Sequence, residues 1–86
     1  MELKDTIKEE ITATIDLLYQ QNIKEAYPRL IVTIPKLEQL ISGFDEARQG
    51  QWIGVLQSAL EAMEQQDVTM LADILQYEIL ERIDET

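Results

Sequence analysis

Leu3, Ile7, Ile11, Ile15 and Leu18 recur at intervals of four, four, four and three, while Lys4, Lys8, Glu9, Glu10 and Asp16 fall off that line. This spacing predicts an amphipathic helix of about five turns ending near Gln21. Asn22 and Glu25 then stand in the N-x-x-E form of a capping box, which predicts the start of a second helix. Its apolar line of Ile23, Tyr27, Leu30, Ile34, Leu37 and Ile41 alternates fours and threes as a heptad seam. The seam closes at Ser42-Gly43, where Gly43 suits the left-handed position after a helix.

Pro28 and Pro35 sit inside that seam. Each removes a backbone donor and crowds the carbonyl four residues earlier, at about 3 kcal/mol in a helix interior. Two outcomes stay open: a continuous helix bent at both prolines, or a short turn ending near Ala26 with the helix proper starting at Pro28. The prolines lie seven apart on one flank and would bend the helix the same way, so the bent, continuous helix is favoured. Ile31-Val32-Thr33-Ile34 is a β-branched run, but four residues between two prolines pair poorly as a strand.

Asp45 suits the cap of a third helix reaching about Gln66, with Trp52, Leu56, Ala59, Leu60 and Met63 on its inner face. Gly50, Gly54, Ser58 and Ala62 form a second line four apart. Small residues in register either admit a neighbouring backbone or simply weaken the first turns. Asp67 suits the cap of a fourth helix from Val68 to about Asp84. At 100° per residue, Val68, Met70, Leu71, Ala72, Ile74, Leu75, Tyr77, Ile79 and Ile83 cover about two thirds of its circumference, against the ~100° stripe of a surface helix. Such a helix is central in its bundle or forms a subunit interface. The short connections imply antiparallel neighbours.

Composition narrows the chemistry. The 86 residues suit one domain, and a chain this short buries only about 60% of its unfolded surface. Cysteine and histidine are both absent, which excludes disulfides, thiolate nucleophiles and any Ser-His or Cys-His triad. The formal charge of −10 repels phosphate backbones and anionic lipid, and no Lys/Arg stripe offers an exception. It favours a solvated acidic surface and partners with basic patches. The N-terminal residues have neither the basic region nor the apolar run of a signal peptide, and no 18-residue apolar stretch occurs, so a cytoplasmic address is expected.

Carboxylates are the only abundant reactive groups. A di-metal bundle needs Glu-x-x-His pairs, and a calcium loop needs D-x-[DN]-x-[DN]-G; neither pattern is present, so no metal and no cofactor is expected. Gly43, Gly50 and Gly54 lack the strand and the lysine of a phosphate loop. Glu61, Glu64 and Asp67 read as a solvated helix end, and Tyr19, Tyr27, Trp52 and Tyr77 as core aromatics. Glu78 falls within the apolar stripe of the fourth helix, with Arg82 four residues on in the favourable order. The pair reads as a rim salt bridge or as one that fixes how a partner docks. A catalytic carboxylate is the remaining reading.

The run Ala59-Leu60-Glu61, the acidic turn at Asp67, and Leu71-Ala72-Asp73-Ile74-Leu75 with Tyr77-Glu78-Ile79 resemble a hairpin of small, uncharacterised bacterial helical proteins. It is similar, too, to the helical export chaperones of the flagellar system. The resemblance covers about a quarter of the chain and implies a helical protein that engages other proteins. It transfers no functional residue.

The expected fold is all-α, four antiparallel helices in one domain over residues 1–86. The expected function is a non-enzymatic protein–protein interaction module offering an apolar groove and pairing as a homodimer through Met70, Ile74, Tyr77, Glu78 and Arg82. The alternatives are a structural or regulatory subunit without its own ligand, or a small carboxylate-dependent enzyme.

Overall fold

The computed structural model describes residues 2–85. Helices α1 (Leu3–Tyr19), α2 (Ile23–Ile41) and α3 (Glu46–Glu64) are followed by a fourth helix, α4, over 68–85; no strand occurs among the described residues. Each helix packs on the next, and α4 returns to α1, closing a four-helix ring. Side-chain pairs fix the directions. Glu10 meets Thr33 and Lys36, residues about equally far on the other side of the α1–α2 turn, and Lys8 near the start of α1 meets Asp84 near the end of α4. Both pairs of helices are therefore antiparallel. The shortest dimension, 19 Å, is about two helix diameters.

The predicted period of α1 holds: Ile7, Ile11, Ile15 and Leu18 are buried, joined by Thr14. In α2 the buried line is Ala26, Leu30, Thr33, Leu37 and Ile41, while Ile23, Tyr27 and Ile34 of the heptad seam are only half-buried. The core side of α2 is rotated toward α1, its most extensive neighbour. The helix runs unbroken through Pro28 and Pro35, both exposed, so neither proline starts it. The carbonyls they crowd belong to Lys24 and Ile31, both exposed residues. The β-branched run lies within this helix.

Two turns share one device. Gln21 and Gln66 take positive φ, 60° and 56°. After α1 the Asn22 N–H donates to the Leu17 carbonyl and the Gln21 N–H to the Leu18 carbonyl; after α3 Asp67 and Gln66 donate likewise to Ala62 and Met63. Each is a Schellman cap that satisfies carbonyls left open by the helix end. Gly43, the residue expected to do this, has no positive φ. There Gly43 and Phe44 donate to Leu40 and Ile41, three residues back, and the helix end tightens without a left-handed residue. Asp45 and Asp67 cap α3 and α4 through their carboxylates, at 2.9 and 3.1 Å. Asn22 precedes α2 as expected but makes no side-chain cap bond.

The repeated Gln-Gln-Asx turn marks a relationship between the hairpins. Offset by 45 residues, Ile7 matches Trp52, Ile11 matches Leu56, Thr14 matches Ala59, Ala26 matches Leu71 and Leu30 matches Leu75, and every member is buried. The match then slips by one, Leu37 against Ile83, where α4 winds as a π-helix over Ile74–Leu80. Its i→i+5 bonds place more than four residues in a turn and absorb the additional residue. Leu71, Leu75, Ile79 and Ile83, four apart, therefore stay on one buried side. A regular helix would rotate them by about 40° per step.

Candidate functional site

Between α3 and α4 runs an open groove of about 890 Å³. From α4 it is lined by Met70, Ile74, Glu78, Arg82 and Glu85, and from α3 by Arg48, Gln51, Trp52, Gly54, Val55 and Ser58. Trp52 and Ile74 are buried and form its floor. Met70 is 50% exposed and stands on its rim. Tyr77 does not line the groove; it is 59% exposed elsewhere on α4. Four of the five residues expected at an interface thus converge here. Regular-helix geometry had placed Met70 and Tyr77 within one apolar stripe, and they are the part of that stripe no neighbouring helix covers.

At one end of the groove, Arg48 lies over the Phe44 ring, 4.6 Å from its centroid, and Phe44 tilts against Trp52 at 6.3 Å. Gln49 fixes this corner by donating its side-chain amide to the Phe44 carbonyl at 2.8 Å. A guanidinium on a ring face gains cation–π attraction while its edge stays free to donate. At the same end, where the close of α4 returns beside the start of α3, Arg82 pairs with Glu78 at 3.0 Å, both side chains nearly half exposed. This is a rim salt bridge within one helix, worth about 0.3–0.5 kcal/mol.

The small residues of α3 also behave otherwise than close packing requires. A methyl group added at Gly50 or Gly54 would meet nothing within 4 Å. No backbone approaches them, and Gly54 and Ser58 instead widen the groove wall. Ala62 alone of that line is buried. Leu60, expected inside, is 42% exposed because α3 turns Ala62 rather than Leu60 to the core. It borders a second groove, of about 380 Å³, between α2 and α3.

The two ionic links between helices, Lys36–Glu10 and Lys8–Asp84, lie apart from both grooves. The Glu10 carboxylate accepts from Lys36 and, at 2.8 Å, from the buried Thr33 hydroxyl. The Lys36 hydrogen bond is the main cause that holds the Glu10 carboxyl below its ordinary range; partial burial opposes it and Thr33 assists. Lys8 is held above its usual value by its hydrogen bond to Asp84. Glu10 reads from the sequence as one more solvated charge, since its partners are 23 and 26 residues away. The Tyr27 hydroxyl is buried without a hydrogen-bond partner among the described residues.

No three acidic side chains gather as a metal set among the described residues, and no helix there is long and apolar enough to cross a membrane. One protein family, described as a Domain of unknown function (DUF8042), matches residues 1–86. No curated protein and no solved structure matches the chain.

Proposed function

The chain belongs to this DUF8042 family, and from its surface we propose that it is a non-enzymatic protein–protein interaction module that pairs with a second copy of itself through α4 and the α3–α4 groove. The observation that carries this reading is the convergence of Met70, Ile74, Glu78 and Arg82 on one groove, with the exposed Tyr77 on the same helix. The accessible surface, 5249 Å², is about what a 10.0 kDa monomer exposes. The core is therefore closed within one chain, and pairing adds a surface association rather than completing the fold.

Charge favours this face for pairing. Two copies at −10 repel each other, and Arg48 and Arg82 place cations where the repulsion must be offset. In a two-fold, antiparallel apposition of α4 centred near Leu80, Glu78 of each copy faces Arg82 of the other. The ion pair within each helix then becomes two between helices, and the spacing sets the docking register. The non-enzymatic reading draws on the placement of shifted ionisation. Glu10 and Lys8 carry it, and both lie outside the groove in ion pairs with structural partners.

Light scattering after size-exclusion chromatography tests the pairing. A species of twice the 10.0 kDa chain mass is expected at micromolar concentrations, with Tyr77→Glu returning it to monomer and leaving the helical circular dichroism unchanged. A monomer at every concentration refutes the reading.

A further inference from the structure

We propose that the second groove, between α2 and α3, docks a cationic amphipathic helix of a partner protein. This partner face rests on the reading of the chain as an interaction module, but lies on the other flank of α3 from the pairing groove. Ile34, Ile41 and Leu56 form its floor, with Ile53 and Leu60 on the α3 side. Ile53 is 50% and Leu60 42% exposed, which leaves large apolar side chains uncovered along the groove. Contiguous apolar surface of this kind marks an interaction site.

Its frame is acidic. No lysine or arginine lines the groove, and exposed Glu38 stands on its α2 edge. Helical position sets Glu46 and Glu64 at the two ends of the Ile53–Leu60 line, with Glu61 beside it, all exposed. The nearby cation Lys36 is held toward α1 by Glu10. A second copy would bring this same acidic frame and a charge of −10 against it. A helix with an apolar stripe and lysine or arginine on both edges matches the floor and the frame together. From Gln49 to Leu60 the floor runs about 16 Å, three turns of such a helix.

The probe is a dye-labelled synthetic helix of roughly 18 residues, leucines at three- and four-residue spacing and lysines on both flanks, beside a version with glutamate flanks. Fluorescence anisotropy should show saturable binding of the lysine peptide that weakens as salt is added, and about tenfold weaker binding of the glutamate peptide. Leu60→Asp should weaken the lysine peptide about tenfold with helicity unchanged. Glu38→Gln should weaken it a few-fold, whereas Glu9→Gln, the same charge change on the exposed side of α1, should not. Absence of saturable binding overturns the proposal. So does equal binding to Leu60→Asp, which would mean general attraction to an acidic protein, or a fall to monomer mass in Leu60→Asp, which would mean that a second copy covers the groove. Loss of pairing reads out as mass and loss of docking as anisotropy, so either reading can fail alone.

Discussion

Glu10 shows how one residue joins two helices. Its carboxylate accepts from Lys36 and from Thr33, whose hydroxyl also lies 3.0 Å from the Arg29 carbonyl, so a buried threonine on α2 is satisfied by an acid on α1. The interaction favours the ionised acid and depresses its pKa in the folded state. Its stabilisation is therefore present above the ordinary carboxylate range and lost as pH falls through the depressed value. Glu10→Gln should cost about 1 kcal/mol at neutral pH, with the gap to the native chain closing as the medium is acidified. Urea unfolding from neutral to acid pH measures both curves, and a constant gap would show that the charge contributes nothing. No periodicity pointed to Glu10, because its partners lie on another helix.

α4 is the element whose geometry departs most from its sequence pattern. Its core residues sit four apart for three steps, and the π segment keeps them on one side. The first hairpin reaches the same depth with one residue fewer between Leu30 and Leu37 than α4 has between Leu75 and Ile83. Deleting Gln76 would leave core residues at spacings of four, three and four, which a regular α-helix accepts. This deletion should cost about 1 kcal/mol or less, whereas deleting Gln57 of α3 should cost several, since it rotates Ala59 and Ala62 out of the core. Thermal unfolding of the two variants makes the comparison; equal losses would show that the π segment does not accommodate an additional residue.

Across the molecule, stability is unevenly spread. α1 and α2 share the most extensive contact and the Glu10 link, and α1 is tied to α4 through Lys8 and Asp84. α3 contributes two alanines among its four buried residues, and carries Gly50 and Gly54, each costing about 1 kcal/mol relative to alanine. Both grooves flank this least secured helix. Native-state hydrogen exchange should therefore find α3 amides opening before those of α1, with Gly50→Ala slowing them, because its added methyl group enters open space. Protection in α3 equal to that in α1 would count against this ordering.

The four helices, their connections and the two aspartate caps were legible in the sequence, because period and capping are local and act within a few residues. The left-handed Gln21 and Gln66 were not. Glutamine takes that conformation only where a helix end and the following helix impose it, while Gly43, free to adopt it, is not required to. The apolar width of α4 was legible too, but which part of it stays open was decided by the packing of α3 and by the π turn. Burial belongs to pairs of helices. A sequence states which side chains favour leaving water, and only the packed neighbours determine which of them are covered. Met70, Tyr77, Ile53 and Leu60, like Tyr19, Ile31 and Val32, are large apolar residues that this ring of helices left outside.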